Sequence, residues 1–342
     1  MTRRLLLAAL AATAPVHIGS AQDPPAPAAF FQSTDVLEFT LRTDLRVLTR
    51  DRDTAEAPWR GATLTWTGPN GPVTVPLQVR TRGIFRLRHC EMPPIRLRFD
   101  QDDVRGTPFD GLRRPKLGTY CMDRDEYEQY VLQEYAIYRV QRLFTPMSYS
   151  VRLVRVTYED SAAARRPVTR YGFIIEDPDR FAERFRATVH PHRGVGQRHL
   201  LAPNAAFLGL FQYFIGNTDW SVPGLHNIEV LRTPDTLVAV AYDFDWSGVI
   251  STSYARPDAR LPIRSVRERV YRGLCQGEEA VTPVLAQFEA LKDSIAAVYR
   301  AVPDLRPRTV EQTLRYYDEF YREIVDRSRF VERVVSRDCL RN

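Results

Sequence analysis

The sequence predicts an α+β chain in two lobes, a β-rich N-terminal lobe and a mainly helical C-terminal lobe, on three observations. Residues 35–121 carry short alternating or β-branched runs broken by turn residues. Residues 123–144 then switch to helical periodicity. From Pro178 onward helices dominate, with one β-pair set between them. The corresponding divisions are a leader over 1–21, a linker over 22–34, the β-rich lobe over 35–177 and the helical lobe over 178–342.

The first residues set the compartment. Arg3 and Arg4 precede the apolar run LLLAALAATAPV, and the small residues Gly19 and Ala21 frame a cut before Gln22. That is a signal-peptide layout, too short for a comfortable membrane span. QDPPAPAAF follows and reads as a disordered Pro/Ala linker. No later stretch reaches about 18 unbroken apolar residues, so the mature chain is expected to be exported without an integral membrane segment.

Removal of the leader leaves about 320 residues, enough for a large domain or two lobes with a proper core. Formal charge falls from +6 to +4 as Arg3 and Arg4 go with the leader. That excess is spread along the chain without a long basic run, so nucleic acid is not expected as a partner. Lys116 and Lys292 are the only lysines in a chain rich in arginine. A lysine is a compact point charge suited to phosphate oxygens, which draws attention to both. Cys90, Cys121, Cys275 and Cys339 fit an exported protein with two disulfides. Three pairings are possible; 90–121 with 275–339 is favoured because each joins neighbours within one half. No CxxC or Cys/His spacing suits a structural zinc.

The strands are read in order from DVLEFTLRTDLRVL, ATLTWTG, VTVPLQVRTRG and PPIRLRFD, with GPNGP as a turn, followed by the short PKLGTYC. DRDEYEQYVLQEYAIYRVQRLF is a helix with Asp123 or Asp125 as N-cap. On it Tyr127, Tyr130, Val131 and Tyr138 share a face with Glu134 among them, and a carboxylate on a packed face calls for a cation. Lys116, just upstream, is the expected partner. SVRLVRVTYED and TRYGFIIED are strands. DPDRFAERFR, NAAFLGLFQYFIG, SVRERVYRGL and residues from about 280 to 335 are helices. HNIEVLR and TLVAVAYDFDW form the inserted β-pair.

Two polar stretches carry the chemistry. IGNTDWSVPGLHNIEV gathers Asn217, Asp219, His226 and Asn227 between apolar flanks, where a charge must be paired, hydrogen-bonded or holding a metal. AYDFDWSG sets Asp243 and Asp245 at the end of an apolar strand, on one face, in position for a hard divalent cation. A helix, a loop Asp, an Asn, a β-pair and a strand-end Asp follow one another here. In protein-kinase-like folds that order supplies an Asp that orients the attacking hydroxyl, then an Asn and an Asp for Mg²⁺. Lys116 with Glu134 corresponds to the strand-lysine and helix-glutamate pair that positions phosphates. Glu176 and Asp177 lie at a hinge where an adenine would dock. His190, His192 and His199, in HPHRGVGQRH, form a loop read as merely polar.

LQVRTRGIFRLRHCEMPPIRLRF, YGFIIED, GNTDW with HN, and YDFDWSG together resemble the spore-coat-protein CotH kinase family, and more loosely the HipA-like and lipid-kinase-like atypical kinases. The resemblance covers most of residues 75–250. It implies a two-lobed protein-kinase-like fold, binding of ATP with Mg²⁺ or Mn²⁺, and phosphoryl transfer to a protein substrate. By motif Asp219 matches the catalytic Asp, with Asn217 beside it, and Asn227 and Asp243 match the metal residues, with Asp245 assisting. Lys116, Glu134 and Glu176 would serve the nucleotide. The chain departs from the pattern in its eight-residue Asp-to-Asn separation, longer than in H-R-D-x-x-x-x-N, and in lacking a GxGxxG loop. The expected function is an exported CotH-like kinase. The alternatives are a non-catalytic secreted or cell-surface binding protein on a kinase-like fold and, third, a metal-dependent hydrolase using the aspartate pair.

Overall fold

The structure is a computed structural model and describes residues 25–51 and 57–341. The leader expected over residues 1–21 lies outside the described residues.

Alternation of apolar and polar residues makes the strands of the first half and also decides their faces. β1 (Leu37–Thr43), β2 (Arg60–Gly68), β3 (Gly71–Thr81), β4 (Ile95–Arg98), β5 (Lys116–Gly118), β6 (Val151–Asp160) and β7 (Val168–Ile175) turn one face inward. Phe39, Leu41, Leu64, Val79, Ile95, Leu97, Leu117, Val154 and Ile174 meet there in one apolar cluster. The order β1-β2-β3-β4-β5-β7-β6 closes into a barrel. Neighbours are antiparallel except for β1 and β6, whose residues 37–43 run parallel to residues 154–160. Phe30, within the stretch read above as linker, is 1% exposed among these side chains and meets Phe109 at 5.7 Å.

This barrel overturns the two-lobed protein-kinase-like fold expected from the sequence. The β-rich half is a closed seven-stranded mixed barrel, accompanied by a separate three-stranded sheet and helices. Periodicity identifies strands one at a time and says nothing about which strand lies beside which. The seam between β1 and β6 joins segments more than a hundred residues apart, beyond the reach of any local pattern.

Short helices α1 (Leu45–Leu48), α2 (Phe85–His89) and α3 (Gln101–Val104) sit in the barrel connections. Here α2 lies between VTVPLQVRTRG and PPIRLRFD, where the sequence reading placed no element. The long α4 (Asp125–Phe144) packs on β6 and β7 with Val131, Leu132, Tyr135 and Tyr138 buried. Its N-cap position is Arg124, without a side-chain cap; Asp123 and Asp125, the expected caps, instead bind Arg170, each at 2.8 Å. After α5 (Pro178–Arg184) and β8 (Thr188–Val189), the almost wholly apolar α6 (Ala202–Ile215) runs through a second core. β9 (Ile228–Arg232) and β10 (Leu237–Ala241) complete the sheet β10-β9-β8. Asn204 at the start of α6 exchanges two hydrogen bonds with Ala239 of β10. Helices α7 (Glu278–Ala290), α8 (Lys292–Arg300) and α9 (Pro307–Glu323) close the core behind α6. SVRERVYRGL, expected as a helix, is irregular: Val266, Val270 and Tyr271 are buried, while Arg269 and Arg272 donate to the carbonyls of Tyr316 and Thr218.

Both disulfides form as favoured, Cys90–Cys121 and Cys275–Cys339. Among the described residues no helix is long and apolar enough to cross a membrane. The two disulfides fit an exported protein.

Candidate functional site

The two polar stretches are joined through the end of α6. Gly216 terminates that helix in the left-handed conformation, φ 66°, and a side chain there would run into Tyr316 Oη. Gly248 N donates to Gly216 O and Val249 N to Ile215 O, at 2.9 and 3.1 Å. The loops following α6 and β10 are thereby held side by side.

In the first loop Asn217 is buried, and its Oδ1 accepts from Asp219 N at 3.0 Å. Asn217 therefore shapes the turn. Ser221 and His226 exchange backbone hydrogen bonds across a tight turn that returns the chain to Asp219. There His226 Nε2 donates to Asp219 Oδ1 at 2.8 Å, and Asn227 Nδ2 donates to Asp219 Oδ2 at 3.0 Å and to Asp219 O at 2.7 Å. The hydrogen bond to Asp219 pushes the His226 imidazole up, and the charges of Asp219 and Asp243 add to it. Asp219 keeps 34% of its side chain exposed. Each carboxylate oxygen retains a lone pair for a further donor.

Asp243 and Asp245, just beyond the end of β10, have opposite fates. Asp243 has φ 63°, and Asn227 and Leu225 share the left-handed region at 54° and 47°. Such backbone is costly for residues other than glycine and persists where its surroundings impose it. Asp243 N donates to Tyr138 Oη at 2.8 Å. The Asp243 carboxylate and Asn227 Oδ1 accept no hydrogen bond from the described residues. Asp245 points inward: it takes a hydrogen bond from Tyr254 Oη at 2.9 Å and lies 3.9 Å from the Arg86 guanidinium. Burial, and then the charge of Asp243, pushes its carboxyl up.

The expected pair of Lys116 with Glu134 does not form. Glu134, 3% exposed, lies 3.7 Å from Arg86 and accepts from Phe244 N at 3.3 Å. Burial, followed by Asp245 and Asp243, pushes it up as well. Arg86 also donates to Thr119 O at 2.7 Å. Lys116 is held elsewhere, 3.8 Å from Glu229 and over the Tyr242 ring at 4.3 Å. Glu176 is not free for a nucleotide either, since both of its oxygens face Arg184 Nη1, at 2.9 and 2.7 Å.

Arg82, Arg86 and Arg96 escaped the sequence reading. The alternation in RTRG and IRLRF places Arg82 and Arg96 on outer strand faces, but their meeting depends on strand order. Arg96 stands directly opposite both Arg80 and Lys116.

A divalent cation at this site would draw on the Asp243 carboxylate and Asn227 Oδ1. Water and phosphate oxygens would complete its shell, as Mg²⁺ ordinarily requires. Asp245, turned to Tyr254 and Arg86, does not fit that role. Among the described residues no three His, Cys, Asp or Glu side chains converge as an ion cage. No protein-family model matches the chain, and no curated protein matches it.

Proposed function

We propose that this is an exported phosphotransferase that moves the γ-phosphoryl group of ATP onto a protein hydroxyl, the activity implied by the resemblance to the CotH kinase family. The observation that carries this reading is the Asp219 unit. Its carboxylate is fixed by His226 and Asn227 and remains open to solvent, and the charge of the unengaged Asp243 reaches the same imidazole. Asp219 orients an acceptor hydroxyl and takes its proton as the new P–O bond forms and the bond from the γ-phosphorus to the departing ADP breaks, and His226 holds the carboxylate in place. Asn227 and Asp243 would hold Mg²⁺ or Mn²⁺, whose chemistry is to neutralise phosphate charge. Asp245 with Glu134 and Arg86 supports the loop from behind.

The test is the melting temperature of the purified mature chain titrated with ATP, with and without Mg²⁺ or Mn²⁺, together with release of ADP. A saturable, metal-dependent rise that vanishes in Asp243→Asn is expected. No rise at millimolar ATP, and no ADP, would remove the phosphotransferase reading and leave a secreted binding protein.

A further inference from the structure

We infer that Arg82, Arg96 and Lys116 form a seat on the outer face of the barrel for the phosphate chain of a polyphosphate ester. That this ester is the phosphoryl donor rests on the phosphotransfer reading; the seat itself rests on the pairing of the strands. In β3, β4 and β5 the register sets Arg80 opposite Arg96 and Arg96 opposite Lys116. Like charges directly opposite one another destabilise a sheet, and a sheet built only for stability would alternate their signs.

The compensation available is incomplete. Arg80 is drawn over the Trp59 ring at 4.7 Å. Lys116, 4% exposed, has Glu229 at 3.8 Å and the rings of Tyr242 and Tyr149. Among the described residues Arg82 and Arg96 have no ion pair and no side-chain hydrogen bond, and Arg82 Nε is buried without a partner. Burial, then the charge of Arg82, brings Lys116 down to about 8, with Arg96 adding to the effect against Glu229 and Asp243. Burial and Arg82 lower Arg96 too.

Three crowded cations facing one close carboxylate call for a ligand with several negative charges and many acceptor oxygens. Guanidinium groups match phosphate with paired donors, and a lysine adds a point charge. Lys116 lies over the ring of Tyr242, the residue before Asp243, so the seat adjoins the loop that carries Asp243. A phosphate chain lying on it would end beside the Asp243 loop.

The probe is sodium tripolyphosphate, added without metal to the mature chain and followed by calorimetry at about pH 8 in two buffers of different ionisation enthalpy. Saturable binding with proton uptake is expected, since the anion restores the proton to Lys116. Arg82→Gln and Arg96→Gln should each weaken binding at least about tenfold, and Lys116→Gln should remove the uptake. Arg105→Gln, which removes an equally positive but exposed side chain elsewhere, should change neither. Each variant's melting curve checks its fold. Undiminished affinity in Arg82→Gln and Arg96→Gln, or no binding to the parent chain, would overturn the seat. Tripolyphosphate binding without ATP turnover would keep the seat and remove the phosphotransfer reading. Turnover with unchanged KM for ATP in Arg96→Gln would do the reverse.

Discussion

Arg82 and Arg86 are four residues apart, and Asp243 and Asp245 only two, yet each pair is divided between two environments. Arg86 and Asp245 are buried with Glu134 and Tyr254 in a network where every charge has an opposite charge or a hydroxyl beside it. Arg82 and Asp243 take no part in those bonds and act on Lys116 instead, where positive charges meet in register and the Asp243 carboxylate stays unengaged. Both groups carry the cost of desolvation. The inner one meets it from within the chain, which marks it as architecture. The outer one leaves it partly unmet, as a site awaiting a ligand would.

The contrast breaks most readily through the outer group's chemistry. Under the phosphotransfer reading, Asp219→Asn should lower transfer about 10²- to 10⁴-fold with the circular dichroism spectrum unchanged. Transfer at the parent rate would remove Asp219 from its role. On the inner side, with urea unfolding measured above the raised carboxyl range, Arg86→Ala strands two buried carboxylates and should cost about 3–5 kcal/mol. A loss below about 1 kcal/mol would show that the network is not held by its charges.

A titration sharpens the comparison further. The Glu134 and Asp245 carboxyls are raised in the folded state, so the native chain keeps protons that the unfolded chain releases. Their contribution is complete below the ordinary carboxylate range and is lost as pH climbs through the raised values. The melting temperature should therefore fall between about pH 5 and about pH 8, less steeply in Glu134→Gln than in the parent. Identical slopes would place the titration elsewhere. The smallest effect belongs to the outer group: Arg96→Gln relieves opposed like charges and should stabilise the chain by about 0.2–1 kcal/mol. A destabilised variant would mean that Arg96 is a structural residue.

Much of the local structure was legible in the sequence because local patterns determine it. The inward alternation of β1 to β4, the burial of Glu134 on α4 and the apolar α6 follow from short-range spacing, and the disulfides join consecutive cysteines. The hydrogen-bonded meeting of Asp219 with Asn227 falls in this class, since one tight turn joins them. The partners of Lys116 and Glu134 do not. Which cation reaches Glu134 depends on the insertion of α2 between β3 and β4, which brings Arg86 inward. Lys116 turns to Glu229 on a strand of the other sheet, more than a hundred residues away. The helix expected over residues 265–274 failed because Arg269 and Arg272 bond to carbonyls of other segments, tertiary contacts that periodicity does not register.

Parity governs the barrel. Strands around a closed ring can alternate direction without exception only if their number is even. Seven strands force at least one seam of equal direction, and the chain places it between β1 and β6. That seam also joins the two paired strands of the barrel that are farthest apart along the chain, and its second half is not made until Asp160 has been polymerised. Until then β1 has an open margin that β6 later covers. Amide protection at residues 37–43 on the side facing β6 should therefore appear after that of the β2–β3 hairpin in pulse-labelled hydrogen exchange. The hairpins of the ring need only near neighbours, and its one odd joint needs the longest reach along the chain.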